Sequence, residues 1–156
     1  MEVITIELTF KRLKTGELPE DDRRLYDAAA RAASRAYAPY SHFNVGAAVL
    51  LGDGTVVEGS NQENIAYPSG LCAERVALFA AGASFPEKPV KAIAIVAIKN
   101  GEIQSSIAPC GGCRQVMLET EQRYGQEMRV LLCGSEDTIV IDSAKDLLPV
   151  SFTGIF

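Results

Sequence analysis

The stretch Ala92-Ile93-Ala94-Ile95-Val96-Ala97-Ile98 is apolar at every position. A half-buried strand alternates apolar and polar residues, whereas one covered on both faces does not. The run therefore reads as a central strand between two helical layers. On its N-terminal side, Ser84 to Pro89 is a Pro-containing loop, preceded by a short helix over Ala73 to Ala81 that ends near Gly82. On its C-terminal side, a second helix follows Gly111-Gly112. It carries Cys113, Val116, Met117, Thr120 and Tyr124, and Gly125 is its stop. Strands alternating with helices make the fold class α/β, a sheet with helices on its faces.

The rest of the chain fits that frame. Val45 to Leu51 and Thr55 to Gly59 flank Gly52-Asp53-Gly54, a hairpin signal. A helix is expected from Pro19-Glu20-Asp21-Asp22 through Leu25, Ala29, Ala32, Ala33 and Ala36, with Pro39 stopping it. Its acids lie at the positive end of the helix dipole, and Arg31 and Arg35 lie near the negative end. Arg129 to Cys133 and Thr138 to Ile141 read as final strands, and Asp146-Leu147-Leu148 as a helical turn before Pro149. At the N-terminus, Ile4, Ile6, Leu8 and Phe10 alternate with Thr5, Glu7 and Thr9. That pattern predicts an extra strand, followed by a charged connection over Lys11 to Glu17. No internal repeat or long linker interrupts residues 1–156, so one domain is expected.

Composition narrows the function. Fifteen Lys+Arg against twenty Asp+Glu leave a net charge of −5, and the pI is about 4.9. Nucleic acids and anionic membranes need a basic footprint, so neither is expected as a partner. No apolar run approaches the roughly 18 residues of a membrane span. The opening Met1-Glu2-Val3-Ile4-Thr5-Ile6-Glu7 has acids where a secretory signal has bases, so a cytoplasmic location is expected.

In that setting the four cysteines, Cys72, Cys110, Cys113 and Cys133, read as ligands or buried thiols rather than disulfides. A single histidine, His42, excludes any metal site needing two. Cys72 opens Cys72-Ala73-Glu74-Arg75, and the other pair lies in Pro109-Cys110-Gly111-Gly112-Cys113-Arg114. Both segments fall at expected helix starts, where the helix dipole favours thiolate. Three sulfurs and one open position make the catalytic form of a zinc site, whereas a fourth protein ligand makes it structural. Cys133 is the candidate for that fourth ligand; its alternative reading is a buried hydrophobe in a strand. A redox Cys-x-x-Cys pair is a further alternative. Glu74, two residues after Cys72, favours the open, catalytic reading, because a closed four-sulfur site has no use for it.

These motifs resemble the zinc-dependent cytidine deaminases, whose signature is His/Cys-Ala-Glu followed by Pro-Cys-x-x-Cys. Tyr40-Ser41-His42-Phe43 with Val45-Gly46-Ala47-Ala48, then Asn61-Gln62-Glu63-Asn64, are similar to the nucleoside-binding stretches of the small free-nucleoside enzymes. Leu147-Leu148-Pro149 with Ser151-Phe152 resembles their C-terminal segment. The likeness spans about residues 37 to 152 and leaves 1–18 outside. It implies a three-layer α/β/α domain with a mixed sheet of about five strands. It also implies one Zn²⁺ per subunit on Cys72, Cys110 and Cys113, with Glu74 as proton shuttle. Phe43, Asn61, Glu63, Ala73 and Tyr67 would contact the nucleoside. Phe152 would reach the site of a neighbouring subunit in a homotetramer. Asn44 departs from the proline expected after the aromatic.

The chemistry requires these residue types. Zinc supplies an activated water for attack at C4 of the pyrimidine, and a carboxyl group must carry the proton to N3 and to the departing amine. Arg75 and Arg114 each follow a ligand cysteine, and hydrogen bonds from them to the sulfurs would offset the negative charge of three thiolates. Surface exposure is the alternative for both. The expected reaction is deamination of cytidine and deoxycytidine in pyrimidine salvage. A related nucleoside or nucleoside-like antibiotic, or a non-catalytic zinc module closed by Cys133, are the alternatives.

Overall fold

A computed structural model describes residues 1–154 of the chain. In chain order the elements are β1 (Lys11–Lys14), α1 (Glu20–Ala33), β2 (Asn44–Leu51), β3 (Val56–Ser60), α2 (Ala73–Ser84), β4 (Val90–Lys99), β5 (Glu102–Ile103), α3 (Gly111–Tyr124), β6 (Arg129–Cys133) and β7 (Asp137–Ile141). Short 3-10 turns lie at Thr15–Glu17, Tyr67–Ser69 and Ala144–Leu147. The sheet order is β1-β7-β6-β4-β2-β3, with β5 pairing the end of β4. Among the described residues, β4 and β6 are the one pair of strands that run parallel, and every other strand pair is antiparallel.

β4 occupies the centre, as its apolar run requires, and its two faces differ in volume. Ile93 and Ile95 face the core shared with α2 and α3, while Ala92, Ala94 and Val96 face α1. The α1 layer is built from small residues on both sides, because Ala28 and Ala29 meet Ala48, Ala92 and Ala94. Helix and sheet therefore approach more closely than larger side chains allow. A Cβ on Gly46 of β2 would lie 2.0 Å from the Ala29 carbonyl oxygen and 2.3 Å from the Ala33 nitrogen. Gly59 of β3 plays the same part for α2, since its Cβ would fall 2.5 Å from the Ala77 nitrogen.

Buried Glu121 ties the far end of α3 to the chain that follows. Its carboxylate accepts hydrogen bonds from the Met128 amide (2.7 Å), the Ser143 hydroxyl (2.8 Å), the Ala144 amide (2.7 Å) and the Lys145 amide (3.1 Å). One side chain thus sets both the entry to β6 and the last 3-10 turn. α3 closes at Gly125, which takes the left-handed φ of 59° expected of a helix stop.

Three sequence expectations are corrected. Residues 4–10 form no strand. The N-terminal strand is instead Lys11–Lys14, inside the segment read as a connection. The reason is the partner: β7 offers rungs from Asp137 to Val140 only, and Val140 already pairs with Lys11. The Lys14–Asp137 (2.9 Å) and Lys11–Asp142 (2.6 Å) ion pairs hold that register. Helix α1 ends at Ala33, before Ala36, as Arg35 and Ala36 bond back to the carbonyls of Ala32 and Ala33 in tighter turns. Helix α2 runs past Gly82 to Ser84.

Two stability outcomes follow from these contacts. Gly46→Ala should cost about 2–3 kcal/mol by overpacking backbone against backbone. Gly16→Ala, with nothing within 4 Å of the added Cβ, should leave the melting temperature nearly unchanged. Glu121→Leu should cost about 2–3 kcal/mol or more, because several buried donors lose their acceptor at once. Thermal unfolding of the variants beside the parent checks both.

Candidate metal centre and adjoining cleft

Cys72 and Cys110 are the N-cap residues of α2 and α3, and Cys113 lies in the first turn of α3. The two helix starts meet, so three sulfurs from distant sequence converge. Cys72 Sγ lies 3.9 Å from Cys110 Sγ, and Cys110 Sγ lies 3.4 Å from Cys113 Sγ. All three sulfurs lie within 4.8 Å of one another. Sulfurs about 2.3 Å from a tetrahedral zinc sit about 3.8 Å apart, so the cluster fits that ion, and a soft, all-thiolate donor set favours it.

Electrostatics around the sulfurs are uneven. The Cys72 thiol is lowered to about 5, first by the hydrogen bond from Cys113 and then by Arg75, against the opposing effect of burial. The Arg75 guanidinium donates to Cys72 Sγ at 3.7 Å. Cys113 is pushed up by its contact with Cys72 and by burial. Glu74, the second residue of α2, is 5% exposed, and burial raises its carboxyl above the ordinary glutamate value, with Cys72 adding to the effect. Ala73 is fully buried, and a Cβ on Gly59 would fall 2.8 Å from its carbonyl oxygen.

Arg114 differs from its expected part. Its guanidinium donates to the carbonyls of Pro109 (2.9 Å) and Leu147 (3.0 Å), tying the entry of α3 to the last 3-10 turn. Acceptors at fixed backbone positions hold it away from the sulfurs. Cys133 is also excluded as a ligand. It lies fully buried in β6 on the α1 side of the sheet, with its thiol directed at the Leu131 carbonyl, and burial pushes it up to about 12. The closed four-sulfur module is thereby overturned, because the sheet separates Cys133 from the helix starts.

A cleft of about 520 Å³ opens beside Cys72. Tyr40, Ser41, Asn61, Glu63 and Tyr67 line it, and Arg75 lies at its inner end. The rings of Tyr40 and Tyr67 meet edge to face, 6.1 Å between centroids. Asn61 bridges the incoming loop and β2. Its Oδ1 accepts from the Val45 amide at 2.8 Å, and its Nδ2 donates to the Phe43 carbonyl at 3.0 Å. Glu63 accepts from the amides of Tyr40 (2.8 Å) and Ser41 (3.3 Å) and from the Ser41 hydroxyl, and the hydroxyl chiefly holds its carboxyl below the usual range. Each side chain keeps spare capacity. One Asn61 N–H and a Glu63 lone pair remain for a ligand.

Phe43 is half-buried at the start of β2 and is not among the residues lining this cleft; Tyr40 and Tyr67 supply its aromatic surface. The Phe152 ring is 83% exposed at the C-terminal tail, whose backbone is held by Gln115 donating to the Phe152 carbonyl at 2.8 Å. His42 is exposed, takes a left-handed φ of 54°, and bonds through its amide to the Ala38 carbonyl. It stands apart from the sulfurs and the cleft. The sequence reading missed the cleft-lining role of Tyr40, although the residue lay within the quoted nucleoside-like stretch. Nothing in the sequence signalled that Glu63 and Asn61 also hold loop backbone.

Zinc content separates the four cysteines. Cys72→Ser, Cys110→Ser and Cys113→Ser should each lose most bound zinc after purification, measured by atomic emission. Cys133→Ser should retain the parent's content.

Comparison with known proteins agrees with this geometry. Residues 19–124 match the family model of the cytidine and deoxycytidylate deaminase zinc-binding region. The cytidine deaminase of Halalkalibacterium halodurans is 41% identical over 85% of this chain and 95% of its own length. That of Sporosarcina psychrophila is 39% identical over 85% and 92%. Among solved structures, cytidine deaminase from Burkholderia pseudomallei is 44% identical, with a TM-score of 0.72 over 83% of this chain and 98% of that one. Cytidine deaminase from Mycobacterium tuberculosis is 35% identical, with a TM-score of 0.67 over 87% and 100%. With its three sulfurs, its buried glutamate and the family match over most of its length, the chain belongs to the zinc-dependent cytidine and deoxycytidylate deaminase family.

Proposed function

We propose that this chain hydrolyses cytidine and deoxycytidine to uridine and deoxyuridine, releasing ammonia. The observation that carries the reading is buried Glu74, two residues from Cys72 in a cluster of three sulfurs beside an open cleft. Cys72, Cys110 and Cys113 would hold a Zn²⁺, which would supply an activated water for attack at C4 of the pyrimidine. Glu74 takes one proton from the attacking water and delivers it to N3, then takes the proton left on the added hydroxyl and passes it to the exocyclic amine, which leaves as ammonia. Burial suits Glu74 to this task, since a carboxyl with raised proton affinity holds a proton between two transfers. Arg75 draws negative charge from Cys72 through its hydrogen bond, which limits the accumulation of charge on three thiolates.

The cleft chemistry supports a nucleoside over a nucleotide. Among the described residues, Arg75 is the one base lining it, and its guanidinium is engaged with Cys72. The remaining polar groups suit hydroxyls: Asn61 donates to, and Glu63 accepts from, the sugar. Tyr67 covers the entrance and, with Tyr40, supplies the aromatic surface beside the base. The Ala73 backbone at the start of α2 contacts the pyrimidine. Phe152, with its ring free of its own subunit, serves the site of a neighbouring copy in a homotetramer. The setting is pyrimidine salvage in the cytoplasm.

The test is the ultraviolet absorbance of cytidine and deoxycytidine incubated with zinc-loaded protein, with the 5′-monophosphates in parallel. Both nucleosides should be consumed and the monophosphates spared. Glu74→Gln should keep zinc while the rate falls at least ~10²-fold, the scale of lost general acid–base catalysis. Zinc-loaded, folded protein that leaves both nucleosides unchanged overturns the proposal.

A further inference from the structure

Residues 1–10 precede β1 outside any regular element, and all of them are exposed. Six of them are large and apolar: besides Met1, Val3 is 76% exposed, Ile4 82%, Ile6 52%, Leu8 42% and Phe10 48%. Among the described residues, none of the ten makes a backbone hydrogen bond. Yet their sequence alternates as a strand does, placing Ile4, Ile6, Leu8 and Phe10 on one face. Leu8 and Phe10 line one pocket with Leu132, Ile139, Ile141 and Leu147, on the side of the sheet that carries α3. The segment leads directly into β1, which ends the sheet and pairs on one side only, with β7. An open edge continued by an exposed apolar arm is a template for another strand. None of this segment lies within the residues matched to the family model.

Charge identifies the strand that fits. The side-chain charges of residues 1–10 are all acidic, Glu2 and Glu7, while those of 11–14 are all basic, Lys11, Arg12 and Lys14. The two lysines pair with Asp142 and Asp137 but remain more than half exposed, and Arg12 has no ion pair among the described residues. A segment acidic at one end and basic at the other complements itself when two copies run antiparallel about a two-fold axis. With residues 2–14 paired in this way, Glu2 lies opposite Lys14, Glu7 lies diagonal to Lys11, and Ile6 and Leu8 lie opposite Phe10 and Leu8 of the second copy. A parallel pairing would set like charges side by side.

We propose that residues 2–14 pair antiparallel with the same segment of a second copy of this chain, joining two seven-stranded sheets edge to edge. The contact is additional to any that the rest of the chain forms. It sets Ile6 against Phe10 and Leu8 against Leu8 of the second copy, lays the Arg12 stem over Ile4, and satisfies the free edge of β1.

Analytical ultracentrifugation of the full chain beside a chain lacking residues 1–10, which keeps β1 and everything after it, reads the effect directly. The full chain should hold more subunits per particle than the shortened one. Glu2→Lys with Glu7→Lys, which keeps the whole arm, should bring the particle down to the size of the shortened chain's. Equal subunit numbers for the full and shortened chains overturn the proposal, as they would if the arm folds onto its own subunit or serves an unrelated partner. A smaller particle on truncation that charge reversal does not reproduce overturns the antiparallel pairing.

Discussion

Two helix starts meeting beside one pair of parallel strands is the constraint on which the site depends. Among the described residues, β4 and β6 are the one pair of parallel strands in the sheet, and parallel strands need a long crossover. Helix α3 is that crossover, so its first turn lies just after β4, with Cys110 and Cys113 on it. Helix α2 reaches the same place from the other side, pressed onto β3 where Gly59 removes the side chain that would hold it off. Shift either helix outward by the width of a methyl group and Cys72 leaves the other two sulfurs. The active chemistry thus rests on backbone contact at a glycine that touches no ligand.

Burial does more than stabilise this arrangement. The turn that places Cys72 at the helix cap places Glu74 inside the protein, where its carboxyl gains proton affinity. Arg75, one residue further, turns back to the Cys72 sulfur. One helical turn therefore carries a thiol of the sulfur cluster, a buried carboxyl of raised proton affinity and a charge partner. The loop side chains opposite work in a similarly economical way. Asn61 and Glu63 hold the backbone from Tyr40 to Val45 while keeping polar capacity free toward the cleft.

Much of this was legible along the chain because it is local. The unbroken apolar run of β4, the Gly-Asp-Gly hairpin between β2 and β3, and the acid-rich start of α1 each depend on neighbours in sequence. So do the spacing of Cys110 and Cys113 and the position of Glu74 after Cys72. Expectations that depended on distant partners fared differently. Residues 4–10 have a strand's alternation but no strand of their own subunit beside them, since β7 is already spent on Lys11–Lys14. Arg114 follows a ligand cysteine, yet the Pro109 and Leu147 carbonyls capture it. The structural part of Glu121, accepting from four groups far along the chain, left no mark in the sequence.

The sequence by itself determined the fold class, the three-sulfur cluster's members and the carboxyl two residues from Cys72, because helix caps, hydrophobic periods and ligand spacing are properties of short stretches. Only the tertiary structure decided between Cys133 as fourth ligand and Cys133 as core. The two readings differ solely in which face of the sheet carries its sulfur, and strand parity against the packed layers sets that. The same holds for Arg75 and Arg114, which are equivalent in sequence and opposite in the fold. A long guanidinium side chain goes to whichever acceptor the packing brings within reach, and that acceptor comes from elsewhere in the chain.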